Sequence, residues 1–188
     1  MEESDIELML RLKAGDVAAF ETLVKRYRKP LINMIYRFLG EPMEAEDLAQ
    51  EVFLKVWGMK DKYKPKGKVA SLFYAIAKNL CMNRLREKKK AKISSFEDLR
   101  GMESKIVSLS SQETRADKIV EQKDLQQFIK TIIQSLPENQ KLAIILREYQ
   151  DLSYAEIAKI MNCSVKSVEA YLYRARETIK TKLEGYMR

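Results

Sequence analysis

Apolar residues recur at helical spacing along almost the whole chain. Leu31, Ile32, Met34, Ile35, Phe38 and Leu39 show the pattern, and no segment sustains the alternation of a strand, so the expected fold class is all-α. Gly15-Asp16 punctuates the first segment, and Asp16 is placed to cap a long helix from Val17 to about Leu39, which Gly40-Glu41-Pro42 stops. A third helix is expected from about Met43 to Gly58. A basic loop, Met59 to Lys68, separates it from a fourth helix over about Val69 to Lys90. From Ile93 to Asp117 the periodicity lapses into Ser94-Ser95, Arg100-Gly101 and Ser108 to Gln112, the composition of a linker. It resumes at Ile119, Leu125, Phe128, Ile129, Ile132 and Ile133, breaks at Leu136-Pro137, and continues with Leu142, Ile144, Ile145 and Leu146. The expected architecture is two small helical domains, 1–92 and 118–188, joined by a linker at 93–117.

The run Leu152 to Glu169 reads as a helix-turn-helix. Ser153 and Glu156 have capping-box spacing, Ala158 is small where a second helix must come close, and Asn162 occupies the turn position where the left-handed conformation is needed. Ser164 then caps a helix whose Val165, Val168, Leu172, Ala175 and Ile179 share one side. At ~100° per residue the opposite side carries Lys166, Ser167, Ala170, Tyr173, Arg174 and Glu177. In this motif the N-terminal part of the second helix reaches base edges, which makes Lys166, Ser167 and Ala170 the candidates for readout, with Arg174, Arg176 and Lys180 for phosphates. The C-terminal domain is thus legible as a DNA binder before its charge is considered.

Charge changes the picture of the N-terminal domain. The chain has 35 Lys plus Arg against 27 Asp plus Glu, a formal +8, but the excess is local. Through Leu54, eleven acidic residues face seven basic ones, whereas Lys55 to Lys92 holds thirteen basic residues against Asp61 and Glu87 alone. Concentrated positive charge interleaved with Tyr63, Phe73 and Tyr74 suits single-stranded nucleic acid. Asn79, Asn83 and Arg86 form one helical stripe that offers amide and guanidinium groups to base edges and phosphates. Upstream, Asp47, Gln50, Glu51 and Leu54 share a helix face at i, i+3, i+4 and i+7, opposite Leu48, Val52 and Val56. An acidic stripe with an exposed leucine fits a basic protein surface better than it fits DNA.

Other chemistry is poorly represented. The chain has no histidine, and its cysteines, Cys81 and Cys163, stand far apart, so neither a metal site nor a cofactor is expected. No nucleophile motif, phosphate-cradling glycine loop or paired-carboxylate signature stands out, so no enzymatic activity is expected. The acidic start Met1-Glu2-Glu3-Ser4-Asp5 does not read as a secretion signal, and no stretch reaches the ~20 apolar residues of a membrane helix. No membrane insertion is expected, and a cytoplasmic location is.

Taken together, these motifs resemble the extracytoplasmic-function sigma factors, the small two-domain members of the bacterial sigma-70 family. The resemblance runs through Gly15-Asp16 with Ala19-Phe20, Leu23 and Tyr27; Ala45-Glu46-Asp47-Leu48-Ala49-Gln50-Glu51-Val52-Phe53; Ile76-Ala77-Lys78-Asn79 followed by Arg84; Leu136-Pro137; Leu152 to Ala158; and Arg174-Ala175-Arg176. It implies a non-enzymatic subunit that binds core RNA polymerase, recognises minus-35 and minus-10 promoter elements and assists melting. It implies docking of Asp47, Gln50, Glu51, Phe53 and Leu54 on the β′ clamp helices, and capture of the melted minus-10 strand by Tyr63, Lys64, Lys66, Asn79, Asn83, Arg84 and Arg86. It implies minus-35 recognition by Lys166, Ser167, Ala170, Tyr173, Arg174 and Arg176, and an anti-sigma protein as inhibitor. The family usually has Trp-Leu where this chain has Leu72-Phe73, Asp where it has Asn83, and Lys-Ser-Arg where it has Glu169-Ala170-Tyr171. These departures leave the promoter letters open. The competing reading is a dimeric helix-turn-helix regulator of duplex DNA, against which stand the placement of the strongest positive charge in the first domain and the lack of a dimerising heptad run.

Overall fold

The structure, a computed structural model, describes residues 3–98 and 118–186, and the side chains of 92–98 and 118–123 fall outside that description. Among the described residues there are eight α-helices, one 3-10 turn and no strand. Helix α1 spans Asp5–Lys13, α2 Val17–Leu39 and α3 Pro42–Met59; a 3-10 turn follows at Lys60–Lys62, then α4 Val69–Asp98. The C-terminal half comprises α5 Lys118–Ser135, α6 Glu138–Glu148, α7 Tyr154–Met161 and α8 Val165–Tyr186.

Local chemistry sets most boundaries. The Asp16 carboxylate accepts from the Ala18 and Ala19 amides at the start of α2, and Gly40 ends that helix in the left-handed region at φ 89°. Ser4 with Glu7 and Ser153 with Glu156 close reciprocal capping boxes on α1 and α7. Pro137 stands just ahead of α6 as its N-cap. Helix α4 runs to Asp98, beyond Lys92, into sequence whose serines suggested a linker. The linker residues 99–117 lie outside the described residues.

In the N-terminal half, α2, α3 and α4 pack around an aromatic centre that α1 closes from one side. Tyr27 stacks on Phe73 with ring centroids 4.4 Å apart and 8° between planes, and Phe53 meets Phe73 edge-on at 5.7 Å. The C-terminal core is aliphatic: Ile133, Leu142, Ile145, Leu146, Ile157, Val168 and Leu172 are buried among α5 to α8. The halves also pack on each other, with α7 against α4 and α6 against α2. Tyr74 Oη donates to Gln150 Oε1 at 2.6 Å, Gln134 donates to the Arg37 carbonyl at 2.6 Å, and the Arg37 guanidinium lies 3.7 Å from the centroid of Tyr149. Lys141 is buried there, over the Phe38 ring, and burial lowers its pKa.

Candidate nucleic-acid and polymerase interfaces

Helix α3 buries Ala45, Leu48, Ala49, Val52, Phe53 and Val56, a face wide enough that only the opposite stripe remains free. Asp47 and Gln50 are exposed, Glu51 is half-buried, and Leu54 is 70% exposed. Glu51 pairs with Lys55 one turn on, at 3.3 Å. Phe53 does not belong with them. It is 7% exposed and sits edge-on to Phe20 and Phe73, so its place is the core, four residues from Ala49 on the buried side. The stripe instead continues to Trp57, three residues after Leu54, whose half-buried ring packs edge-on against Phe20 of α2 at 5.0 Å. The i, i+4 and i+7 spacing from Gln50 through Leu54 identifies Trp57 in the sequence.

Beyond α3 the chain makes a small pocket. Met59, Lys62, Tyr63, Lys64, Lys66, Gly67, Lys68, Val69 and Leu72 line a cavity of about 310 Å³. Its lysines are exposed, whereas Tyr63 and Val69 are buried at 6% and 3%. Tyr63 therefore offers no free ring face for stacking; its ring is held in the protein and walls the cavity, and burial pushes its hydroxyl pKa up. Gly67 turns the loop at φ 83°, which a side chain adopts only with strain. Lys62, Lys68 and Leu72 belong to this pocket although motif spacing alone did not single them out.

The second basic surface lies along α4. Asn79, Asn83 and Arg86 are exposed, share one face and, with Lys78 and Met82, line a cavity of about 410 Å³ whose other wall is Asn139, Leu142 and Met161 of the C-terminal half. Arg86 donates to Asn83 Oδ1 at 3.3 Å. Arg84 is not part of this group. It turns toward α3, with Nε 3.9 Å from Glu44 and Nη1 3.6 Å from Glu87, while Lys88 reaches Glu44 at 2.6 Å.

In the C-terminal half, Glu156 Oε2 accepts from the Ser153 amide at 2.8 Å and from its hydroxyl at 2.7 Å. Its other oxygen lies 2.8 Å from the Lys68 ammonium. Lys68 first, then Ser153, holds the Glu156 pKa down at about 2. Asn162 takes the left-handed conformation, φ 54° and ψ 51°, and its amide closes α7 onto Ala158 and Lys159. Ser164 accepts from the Ser167 amide at 3.1 Å, and the two hydroxyls lie 2.8 Å apart, so Ser167 is partly engaged in the cap. Val168, Leu172 and Ala175 are buried, while Val165 stays 41% exposed at the first turn of α8. Lys166, Ala170, Tyr173 and Arg174 are exposed, with Tyr173 at 67%. Arg174 borders a groove with Leu85 and Lys89 of α4, and Arg176 stands on the other flank, paired with Glu148 at 2.8 Å. At ~100° per residue the two arginines flank Lys166, about 80° to either side of it, and so lie on opposite edges of the exposed face.

Among the described residues no group of carboxylates, cysteines or histidines is arranged to hold a metal, and no helix is long and apolar enough to cross a membrane. Both cysteines carry free thiols, and burial pushes that of Cys81 up to about 12.

Comparison with known proteins fits this geometry. Residues 23–91 match sigma-70 region 2, and residues 129–179 match sigma-70 region 4. The RNA polymerase sigma-H factor of Pseudomonas aeruginosa is 31% identical over 192 aligned residues, covering 100% of this chain and 97% of that protein. The ECF RNA polymerase sigma-E factor of Escherichia coli K12 is 32% identical over 186 residues, covering 98% and 97%. The fold also matches that of the sigma factor RpoE from Bartonella quintana, crystallised with the anti-sigma factor NepR, at a TM-score of 0.66 and 20% identity, over 88% of this chain and 96% of that one. A helical chain with both sigma-70 regions in order, aligned along its full length to named sigma factors, belongs to the extracytoplasmic-function sigma factors of the sigma-70 family, non-catalytic subunits that bind RNA polymerase and promoter DNA.

Proposed function

We propose that this sigma factor divides its work among three surfaces. The α3 stripe of Asp47, Gln50, Glu51 and Leu54 docks on the β′ clamp helices of core polymerase. The lysine-lined pocket beside Tyr63 and the Asn79, Asn83 and Arg86 stripe receive the non-template strand of the minus-10 element. The N-terminal turns of α8, led by Lys166 and Ala170, read the minus-35 duplex. The division of the chain into 1–92, a linker at 93–117 and 118–188 is part of the same proposal.

The observation that carries it is the separation of charge in space. The acidic stripe lies on α3, while the loop after it and the outer face of α4 carry exposed lysines, asparagines and Arg86. A basic protein surface and a phosphate backbone thus meet different helices of one domain. The pocket, walled by Tyr63, Val69 and Leu72, has apolar sides for a base face and lysines at its rim for the flanking phosphates. Holding an extruded base exchanges duplex stacking, on the order of 1.4 kcal/mol per step, for protein contacts. That shifts an equilibrium toward the melted state and needs no bond chemistry.

The protein acts where polymerase and chromosome are, in the cytoplasm. Because the Bartonella quintana sigma factor is bound by an anti-sigma factor, an inhibitor of that class is the proposed regulator. The test is to mix the purified chain with bacterial core polymerase, separate the complex by size-exclusion chromatography, and assay initiation on a pool of promoter fragments. Co-elution with selective transcription is expected. Binding to duplex DNA as a dimer, without binding core polymerase, contradicts the reading.

A further inference from the structure

Helix α1 lies ahead of the segment that matches region 2, which begins at residue 23, so that match assigns it no role. Its construction is that of a fixed strut. Leu8, Met9 and Leu12 are fully buried. At its start Asp5 bonds both Arg26 and the Tyr27 hydroxyl of α2, and Tyr27 in turn stacks on Phe73 of α4. At its end Gly15 turns the chain at φ 94°, and Arg11 is paired with Glu3 and Asp16. The two basic residues of the last turn are therefore used differently. Arg11 closes its own helix and the next cap, whereas Lys13 reaches across fifty residues of sequence and donates from Nζ to the Tyr63 carbonyl at 3.0 Å.

That carbonyl sits where the pocket loop is made. The 3-10 turn ends at Tyr63, whose amide bonds Lys60 and whose backbone is extended at φ −60° and ψ 132°, so its carbonyl no longer continues a helical ladder. The residue is buried and its bond from Lys13 is partly buried, and a carbonyl drawn away from water gains from a partner. We propose that Lys13 is a positioning residue for minus-10 capture: its ammonium fixes the Tyr63 carbonyl, and through it the pocket wall and the lysine-bearing loop that follows. This rests on the pocket being the site where a melted base is held.

The test uses the full chain in holoenzyme, on a promoter selected from a fragment pool, with permanganate reactivity of unpaired thymines reporting melting. Lys13→Met keeps the aliphatic stem and removes the donor; Lys13→Arg restores a donor; Lys64→Ala/Lys66→Ala alters the pocket rim directly. Loss of one charge-assisted hydrogen bond predicts a fall of about tenfold in the melted fraction for Lys13→Met. Recovery is expected in Lys13→Arg, with core-polymerase affinity and minus-35 duplex binding unchanged. Wild-type melting by Lys13→Met, while the rim variant loses melting, overturns the role of Lys13 and leaves the pocket standing. Equal loss in Lys13→Met and Lys13→Arg, accompanied by a lower melting temperature, also overturns it, because Lys13 would then only support the fold. Wild-type melting by the rim variant removes the pocket itself, and the inference with it.

Discussion

The two halves of this molecule build their binding surfaces by different routes. In the C-terminal half the recognition helix is aimed by short-range bonds: the Ser153 and Glu156 box, the left-handed Asn162 and the Ser164 cap lie within a dozen positions of one another. In the N-terminal half the surface is aimed by residues distant in sequence. Tyr27 of α2 stacks on Phe73 of α4, and Lys13 of α1 holds the loop that follows α3. A local device tolerates changes elsewhere in the chain. A device assembled from distant residues fails as a whole when its centre is disturbed.

The largest expected effect follows from that centre. Phe73 is fully buried between Tyr27 and Phe53, so Phe73→Ala is expected to cost about 3–5 kcal/mol of stability, read by thermal unfolding. Polymerase docking, minus-10 capture and their shared scaffold should weaken together. A smaller change sharpens the contrast on the other side. Asn162→Ala places an ordinary residue in the left-handed region and is expected to cost about 1–2 kcal/mol, whereas Asn162→Gly should be nearly neutral. Minus-35 binding should fall with the alanine, and polymerase docking should not.

The smallest effect is electrostatic. The Glu156 pKa lies near 2, below the ordinary carboxylate value of 4.5, so its charge contributes stability that is fully present above about pH 4.5 and is lost as pH falls through about 2. Glu156→Gln keeps the capping acceptor and removes the charge facing Lys68. The stability gap between wild type and Glu156→Gln, followed by chemical denaturation, should be constant from pH 7 to 5 and shrink as the pH falls toward 2. A gap independent of pH would contradict the ion pair's role.

The same contrast decides what the sequence made legible. The limits of α2, the capping box on α7 and the turn at Asn162 were readable because their causes are neighbours in sequence. The acidic stripe was readable from helical spacing, but its edge was not. Phe53 adjoins Leu54 in sequence yet falls on the buried face because Ala49 and Val56 are core positions beside it. Tyr63 carries a basic loop's signature, but it is buried, with its carbonyl bonded by Lys13 of α1, and so forms a wall. Arg84 looked interchangeable with Arg86 until Glu44 of another helix claimed it. The end of α4 was missed because Ser94-Ser95 is a weak helix former, a preference that the long helix overrides. For Tyr63 and Arg84 the deciding neighbour, Lys13 or Glu44, is far away along the chain.

The most direct test of the three-surface account compares core-polymerase affinity for Asp47→Lys and Lys166→Ala, with both proteins shown to be folded. Asp47→Lys reverses charge on the exposed α3 stripe and is predicted to abolish co-elution with core enzyme, while Lys166→Ala co-elutes as wild type and loses only minus-35 binding. Normal co-elution of Asp47→Lys, or equal loss of polymerase binding in both variants, would contradict the separation of surfaces on which the account rests.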